Sequence, residues 1–533
     1  MVLIVFMNKK LQIWLPLLLS ITMLAGMWLG YRIKATMPGK SFFAVDKAMP
    51  FQEVLDLINN KYVDDVAAKQ LNDTAIAAIL AKLDPHSVFI PADELQAVND
   101  DIAGNFFGIG VEFEILNDTL NVLNVVLDGP SAKAGIATGD KFIKVNDSVI
   151  AGNNIHADRI RKLLRGDVAS TVNIVYNRNG QLQTATITRG VIPVSSIDAA
   201  YIISNGIGYI KLNKFSQVTY KEFMIALQSL QKQGLTKLIL DVRGNGGGVL
   251  DEAAAIADEF LDGDKLVTYT QGVHFAKKEY RCKKPGLFET GPLVVLADEG
   301  SASASEILLG ALQDWDRATI IGRRSFGKGL VQEQYDLSDG SALRLTVARY
   351  YTPLGRSIQR PYNKGEKEYY NEVVNRFHDG ETTNADSVKL DTSKVFITKK
   401  GKKLYGAGGI NADVFVGIDT ITYKGNFYKL INKNSFGNFA YQYFLQNKIA
   451  LKAYKNPQQF ASNFLFTDAD WQQFNRVALK DSININTTVG QEKKQILDKL
   501  KSALARQIWR SEGFYEVANT TDKVLLKAIE ILK

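Results

Sequence analysis

The spacing of apolar residues changes twice in the first 190 residues of this 533-residue chain. Residues 11–30 form one apolar stretch without a charge, about as long as a membrane-spanning helix. Apolar residues then recur three and four positions apart through residues 41–105, which predicts helices. Residues 107–189 alternate apolar and polar positions between glycine turns, which is typical of short strands. The pattern therefore predicts an apolar segment, a helical segment and a β-rich module, in that order.

Short apolar strands and helices alternate in the part of the chain that follows residue 207. The predicted elements are strands at 237–242, 293–297 and 318–321, and helices at 250–261 and 304–312. Strands followed by helices favour a largely parallel α/β sheet. Residues 426–533 return to a helical pattern, with aromatic anchors such as Phe444, Trp471 and Trp509.

Together these patterns predict a multidomain α+β protein. The predicted boundaries are 1–35 for the apolar segment, 36–104 for an N-terminal helical domain, 105–190 for the β-rich module, 191–425 for the α/β core and 426–533 for a C-terminal helical domain. Within the core, residues 362–405 are polar and show little periodicity, so we interpret them as an insertion.

The apolar N-terminal stretch predicts export of the rest of the chain. It is longer than the apolar part of a typical signal peptide and lacks a clear cleavage site of small residues. An uncleaved signal anchor is therefore favoured over a removed signal peptide. Basic residues flank both ends, so they do not decide the orientation. The first interpretation places the chain in the cell envelope, anchored in the inner membrane with its catalytic part in the periplasm; the second predicts secretion after signal cleavage.

Charge, cysteine and histidine content narrow the classes of function. The net charge of +8 is spread along the chain without a basic stripe between aromatic residues, so nucleic-acid binding is not favoured. The single cysteine excludes an intrachain disulfide, and no histidines are paired, so neither a metal nor another cofactor is predicted. The four histidines lie outside any motif of a Ser-His-Asp hydrolase, and no G-x-S-x-G elbow is present. They are His86, His156, His274 and His378.

Two short motifs carry the candidate chemistry. Residues 300–307 (GSASASEI) place a serine turn at the start of a helix, and residues 326–332 (FGKGLVQ) place a lysine between two glycines. A serine hydroxyl needs a nearby base to act as a nucleophile. A desolvated lysine with a lowered pKa can supply that base. We therefore interpret the two motifs as the centre of a Ser–Lys hydrolase.

Both motifs also have an ordinary interpretation. The run from Ser303 to Glu306 fits a capping box, in which the serine caps a helix and the glutamate reaches back. Local sequence alone leaves this open. Lys328 completes seven of the eight positions of a phosphate-binding loop, but the eighth is Gly329 rather than serine or threonine. Since a strand rather than a helix is predicted to follow, nucleotide binding is not favoured.

A glycine loop at residues 244–248 follows a predicted strand and opens a helix, as the serine turn does. In a parallel sheet such turns meet at the carboxyl edge of the strands. Helix N-termini present unpaired N–H groups, which can stabilise the negative oxygen of a tetrahedral intermediate. The two turns together therefore predict an oxyanion hole.

The β-rich module resembles a PDZ domain of the bacterial protease-associated kind. The motifs that carry this resemblance are FGIGV at 107–111, GPSAKAGI at 129–136 and TGD at 138–140. It implies that backbone N–H groups of Gly108, Ile109, Gly110 and Val111 bind the terminal carboxylate of a peptide, which adds as a strand to the sheet edge. The alternative is an unrelated small β-domain with tight turns.

The chain between residues 51 and 416 resembles the carboxyl-terminal processing, or tail-specific, proteases of the S41 serine peptidase group. Besides the PDZ-like module, the motifs are LDPHS, DVRGNGGG, GSASASEILLGALQD, GRRSFGKGLVQ and RYYTPLGRSIQ. The resemblance implies a crotonase- or ClpP-like α/β protease core. It also implies a serine endopeptidase that cleaves near the free C-terminus of exported proteins.

The resemblance also assigns roles to single residues. Ser303 corresponds to the nucleophile, Lys328 to the general base, and Gln332 to the glutamine four positions after that lysine. The oxyanion donors correspond to the N–H of Ala304 and of one glycine between 246 and 248, for which we select Gly248.

The chain departs from the family pattern in three places. Residues 408–413 read GGINAD instead of Gly-Gly-Ile-x-Pro-Asp, and neither the insertion nor the C-terminal helical domain belongs to the common pattern. An oligomer or adaptor contact through that domain is left open.

The first alternative function is a catalytically inactive PDZ-type scaffold. A membrane-embedded Ser–Lys signal peptidase is not favoured, because Ser303 lies far from the apolar segment.

Overall fold

The computed structural model describes residues 9–36, 50–389, 391–423 and 425–533. Its first helix contains an apolar stretch, Trp14–Arg32, that is long enough to cross a membrane. By length and composition this stretch suits a signal anchor or a signal peptide. The helical segment predicted from residue 41 lies partly outside the described residues, since 41–49 are not among them.

Helices occupy both ends of the described chain and recur through its middle. They are α1 (Lys9–Thr36), α2 (Pro50–Lys61), α3 (Ala68–Leu80), α4 (Ala92–Ala103), α5 (Pro130–Lys133), α6 (Ala157–Leu164), α7 (Thr219–Lys232), α8 (Leu250–Asp258), α9 (Ala304–Asp314), α10 (Glu366–His378), α11 (Gly425–Asn432), α12 (Ser435–Leu451), α13 (Pro457–Asn463), α14 (Asp468–Lys480), α15 (Gly490–Ala518) and α16 (Lys523–Leu532).

The strands lie between residues 88 and 415. They are β1 (Val88–Ile90), β2 (Asn105–Gly108), β3 (Val111–Leu116), β4 (Thr119–Val125), β5 (Lys141–Val145), β6 (Ser148–Val149), β7 (Thr171–Arg178), β8 (Gln181–Thr188), β9 (Gly190–Pro193), β10 (Ile197–Ser204), β11 (Ile207–Leu212), β12 (Lys237–Asp241), β13 (Leu266–Gln271), β14 (Lys278–Arg281), β15 (Leu293–Ala297), β16 (Thr319–Gly322), β17 (Leu330–Asp336), β18 (Ala342–Tyr351), β19 (Asp391–Ile397), β20 (Lys403–Gly406) and β21 (Val414–Phe415).

The α/β core is built on a sheet with the strand order β10-β11-β12-β15-β16-β21. Every neighbouring pair is parallel except β10 with β11. Strands β11, β12 and β15 are almost wholly buried, as expected of apolar strands covered on both faces. The predicted parallel α/β core is therefore confirmed.

This strand order brings three loops together at the carboxyl edge of the sheet. The glycine loop follows β12, the serine turn follows the neighbouring β15, and the segment that leads to Lys328 follows β16. The Ala302 N–H of the serine turn donates to the Asn245 carbonyl of the glycine loop at 3.0 Å. The two helix-opening turns are thus in direct contact.

A second sheet lies beside this edge and receives the lysine loop. Strand β17 begins two residues after Lys328 and pairs antiparallel with β18, which also pairs with β1 and β13. Because β1 follows the LDPHS motif directly, its pairing with β18 brings that motif close to the lysine loop.

The β-rich module contains a sheet with the order β3-β4-β5-β7-β8, and β3 forms one edge. Strands β2 and β9 pair with each other where the chain enters and leaves the module. The short strands predicted for residues 107–189 are present.

The C-terminal region is helical, as the sequence predicts. Helices α11 to α15 share an aromatic core that includes Phe439, Phe460 and Phe474. Helix α16 instead packs on the α/β sheet, where Leu525 and Ala528 join the buried residues of β12 and β15. The final helix therefore contributes to the core of the preceding domain.

The polar segment interpreted as an insertion contains helix α10 and the antiparallel hairpin β19–β20. The buried residues of α10 are Tyr369 and Arg376. A helix that buries a phenol and a guanidinium lacks the apolar stripe from which a helix is predicted.

Candidate active site

Ser303 lies at the turn between β15 and α9, at the N-cap of the helix. Its backbone has φ 55° and ψ −115°, a conformation that costs energy for a residue with a side chain. The surrounding hydrogen bonds hold it there. Strain of this kind is often found where a side chain must be presented to a ligand.

The three serines of the turn have different environments. Ser301 and Ser305 are fully buried, whereas Ser303 is partly exposed. The Ser301 hydroxyl donates to the Val242 carbonyl at 2.8 Å, and the Ser305 hydroxyl donates to the Asn245 carbonyl at 2.9 Å. These two hydroxyls tie the serine turn to the glycine loop, and the accessible one belongs to Ser303.

Lys328 lies between two glycines, immediately before β17. Its ammonium nitrogen Nζ donates to Gln332 Oε1 at 2.9 Å. Burial lowers the pKa of Lys328, and the nearby charge of Arg344 lowers it further, against smaller raising effects of Asp84 and Glu306. The site therefore favours the neutral amine more than water does.

Glu306 connects the serine turn to the lysine loop. One of its carboxylate oxygens accepts hydrogen bonds from the N–H of Ser303 at 2.9 Å and from the N–H of Lys328 at 2.8 Å. The other accepts from the Ser325 hydroxyl and the Gly327 N–H, both at 2.6 Å. Sequence reasoning identified only the capping contact with Ser303. One carboxylate oxygen of Glu306 thus accepts hydrogen bonds from the backbone N–H groups of both candidate catalytic residues.

Tyr350 contacts the same two residues as Glu306, but through their backbone carbonyls. Its hydroxyl oxygen lies 3.0 Å from the Ser303 carbonyl and 2.5 Å from the Lys328 carbonyl. Burial raises the pKa of Tyr350 well above its usual value, so the phenol stays protonated and can donate. Local sequence does not predict this contact, because it depends on the pairing of β17 with β18.

The side chains of Ser303 and Lys328 are not yet hydrogen-bonded to each other. Among the hydrogen bonds of the described residues, none joins Ser303 Oγ to Lys328 Nζ, and the amine is directed at Gln332. Catalytic hydrogen bonds are often longer before substrate binds. Glu306 and Tyr350 hold the backbones of both residues, and Gln332 is the hydrogen-bond partner of the amine.

Gly247 makes the closest approach of the glycine loop to the serine. A Cβ atom at this position would lie 2.7 Å from Ser303 Cβ and 2.8 Å from the Ala304 nitrogen. Its φ of +95° also disfavours any other residue. Only glycine therefore allows the loop to reach the serine turn.

The N–H groups of Gly248 and Ala304 are the predicted oxyanion donors. Gly248 forms a parallel bridge with Phe215 that uses the carbonyl of Gly247, so its own N–H points away from Phe215. In the described part of the chain neither of the two N–H groups donates to a protein acceptor. The N–H of Gly247, by contrast, donates to Asn245 Oδ1 at 2.9 Å. The geometry is thus consistent with the choice of Gly248.

The LDPHS motif positions the hydrogen-bond partner of Lys328. The Asp84 carboxylate accepts from the N–H of His86 and of Ser87. The carbonyl of His86 in turn accepts from Gln332 Nε2, which fixes the amide so that its oxygen faces Lys328. Burial, and then the charge of Lys328, lower the pKa of His86 to about 4. This histidine is therefore neutral at physiological pH and acts as a support.

Across the described ranges, no three metal-ligating side chains lie close enough together to hold a metal ion.

A second candidate site lies at the edge of the β-rich module. A cavity of about 150 Å³ opens between β3 and α6. Its lining includes all four predicted carboxylate-binding residues, together with Phe106, Phe113, Arg161, Leu164 and Arg165. The Arg165 guanidinium lies 4.4 Å from the centre of the Phe106 ring. Sequence reasoning missed the two arginines, which lie in and directly after α6; Arg161 pairs with Asp158, and Arg165 pairs with Asp100 at 3.6 Å.

Models of three known families match separate parts of the chain. The model of peptidase family S41 matches residues 206–367, and that of the PDZ domain matches residues 108–188. A family of unknown function, DUF8443, matches residues 426–510. The predicted PDZ-like module and S41 core are thus confirmed.

Named relatives align with more than half of the chain. A carboxy-terminal-processing protease of Bartonella bacilliformis is 35% identical over 315 residues, which cover 58% of this chain and 72% of that protein. A probable CtpA-like serine protease of Staphylococcus saprophyticus is 33% identical, with coverages of 59% and 63%. Among solved structures, a photosystem II D1 C-terminal processing protease is 30% identical, with coverages of 58% and 89% and a TM-score of 0.33.

Proposed function

Because this chain belongs to the carboxy-terminal-processing proteases of peptidase family S41 and is a serine-type peptidase, we propose that Ser303 is its nucleophile and Lys328 its general base. The observation that carries this proposal is the shared Glu306 oxygen, which accepts hydrogen bonds from the N–H groups of both residues. Ser303 is also the accessible serine of its turn, and burial favours the neutral form of Lys328.

The reaction would begin with the neutral amine of Lys328 taking the proton of the Ser303 hydroxyl. The serine oxygen then attacks the scissile carbonyl carbon and forms a tetrahedral intermediate. When the C–N bond breaks, the proton passes from the lysine to the leaving amine. Water, activated by the same lysine, hydrolyses the acyl-enzyme and regenerates the serine. Gln332 would hold the amine in place between these steps.

The oxyanion of each tetrahedral intermediate would be stabilised by the N–H groups of Ala304 and Gly248. Removing one such donor from a serine peptidase lowers kcat by about 10²–10³-fold. The position of both donors depends on the contact of Gly247 with the serine turn.

We expect Gly247→Ala to lower kcat by at least about 10²-fold, because the new methyl group would push the glycine loop away from Ser303 and Ala304. Gly246→Ala is the matched control, since a Cβ atom there meets nothing within 4 Å. Peptide hydrolysis and thermal unfolding of both variants provide the measurement. Equal activity of the two variants would contradict the proposed oxyanion hole.

The substrate we propose is an exported protein with a free C-terminus. Its terminal carboxylate would bind the loop of Gly108, Ile109, Gly110 and Val111 beside Arg161 and Arg165, and its last residues would pair with the exposed edge of β3. The apolar N-terminal helix supports a location in the cell envelope, with the catalytic part outside the membrane on the periplasmic side or secreted.

Peptides with an apolar C-terminal residue, either free or amidated, test this proposal. A hydrogen bond to a charged group contributes about 1.5–3 kcal/mol, so amidation should lower kcat/KM at least about tenfold. The full chain in detergent is assayed, with the Ser303→Ala variant as the control for cleavage.

The two parts of the proposal fail in different ways. Equal cleavage of the free and amidated peptides would contradict capture of the terminal carboxylate but leave the hydrolytic site intact. Binding of the free peptide without cleavage would instead favour the inactive PDZ-type scaffold.

A further inference from the structure

Helix α10, in the segment outside the common family pattern, lies directly against the loop that carries Lys328. The side chain of Arg376 is buried, with 3% exposure. Its guanidinium donates to the Ser325 carbonyl at 2.7 Å and to the Phe326 carbonyl at 3.1 Å. These carbonyls belong to the residues that lead into the Gly-Lys-Gly turn, so α10 fixes the path of the backbone just before the lysine.

Glu372 holds this arginine and two others in one network. It accepts from Arg376 at 3.0 Å, from Arg324 at 3.0 Å and from Arg360 at 2.5 Å. Glu381 accepts a further hydrogen bond from Arg324 at 2.6 Å. Because a buried guanidinium without a partner is costly, each member of this network depends on the others.

Tyr369, one helical turn before Glu372, contacts the residues that orient the hydrogen-bond partner of Lys328. Its hydroxyl lies 2.9 Å from His86 Nε2, and the carbonyl of His86 orients Gln332. The guanidinium of Arg360 lies over the rings of both Phe326 and Tyr369, 4.1 Å from each centre. Helix α10 therefore contacts both the backbone that precedes Lys328 and the residues that orient its hydrogen-bond partner.

We propose that Arg376 and Tyr369 are positioning residues that hold the Lys328 amine in its buried place beside the serine turn. This inference rests on the proposed role of Lys328 as the base. The insertion at residues 362–405 would then contribute to catalysis, because its helix α10 shields the lysine loop from water and holds the backbone of that loop in place. Loosening the loop would let water reach the amine, and the amine would then be protonated over a wider range of pH.

The test compares Arg376→Met with the parent protein as full-length chains. We expect kcat at pH 7 to fall at least about tenfold, with KM changed less than about twofold, since the lysine acts on the chemical step. We also expect the acid limb of the pH profile of kcat to move to higher pH. Arg376→Lys, which can still donate to one carbonyl, should restore part of the loss.

Two further variants complete the design. Lys389→Met removes an exposed ion pair with Asp379 in the same segment, 2.7 Å long, and should behave as the parent does. Tyr369→Phe removes only a hydroxyl group, so it should fold even where Arg376→Met does not. It should move the acid limb in the same direction by a smaller amount.

The proposal is overturned if folded Arg376→Met or Tyr369→Phe keeps the parental kcat and pH profile. It is also overturned if activity falls only in proportion to the unfolded fraction while the pH profile stays in place. Parental activity in Ser303→Ala or Lys328→Met, measured alongside, would instead refute the proposed function.

Discussion

Ser303→Ala is expected to lower kcat/KM for a cleaved peptide by at least about 10³-fold. The proposed mechanism routes every turnover through a bond to this oxygen, and removal of the nucleophile in serine peptidases leaves only the catalysis that the oxyanion hole and binding supply. The turn itself should stay folded, because its backbone bonds to Glu306 and its contact with Tyr350 do not involve the hydroxyl. Hydrolysis of a peptide with a free C-terminus measures the effect.

The neighbouring serines provide matched controls for this variant. Ser301→Ala and Ser305→Ala each remove one hydrogen bond to a buried carbonyl that keeps a backbone donor, the Asn245 N–H for Val242 and the Ala302 N–H for Asn245. The loss of that one bond should lower the free energy of unfolding by about 0.5–1.5 kcal/mol. The folded fraction of each variant should still cleave the peptide. Parental activity in Ser303→Ala would contradict its role as nucleophile.

Lys328→Met is expected to lower kcat/KM by about 10²–10⁴-fold, which is the usual contribution of a general base. Methionine has a similar length, so it should fill the buried site without the amine. In the parent protein the neutral amine is the active form, and its pKa is lowered by burial. The activity of the parent should therefore rise with pH through the pKa of Lys328, and this rise should be absent from the variant.

The stability of the parent and of Lys328→Met gives an independent check of the direction in which folding shifts the pKa of Lys328. Since the pKa of Lys328 is lower in the folded than in the unfolded state, the unfolded state binds more protons between these two values. The free energy of unfolding of the parent should therefore rise with pH in that window, relative to Lys328→Met. A difference that does not depend on pH would show that the lysine is an ordinary solvated one.

Local patterns were sufficient to predict the fold class. Apolar strands such as Leu293–Ala297 lie where the sequence places them, because a buried parallel strand reads as a short apolar run between turns. Alternating apolar positions predict the strands of the β-rich module and helical spacing predicts the C-terminal helices, whereas resemblance identifies the module as PDZ-like. Resemblance to a family, rather than periodicity, selected Ser303 among three serines.

The contacts that assemble the candidate site could not be predicted from local sequence. Glu306 looks like a capping residue, since its bond to Ser303 is local while its bonds to the lysine loop depend on the order of β15 and β16. Tyr350 reaches the site because its own strand β18 pairs with β17, and His86 reaches it because β1 pairs with β18. Helix α10 was missed because it buries charged and aromatic groups in place of an apolar stripe.

Trapping of the acyl-enzyme tests the central claim most directly. The full-length parent and Lys328→Met are mixed with a peptide ester, quenched in acid within a single turnover, and mapped by mass spectrometry. We predict an acyl group on Ser303 of the parent, and none on Lys328→Met in the same time. An acyl group on Ser301, on Ser305 or on any residue outside the serine turn would contradict the assignment of Ser303 and Lys328 as the catalytic pair.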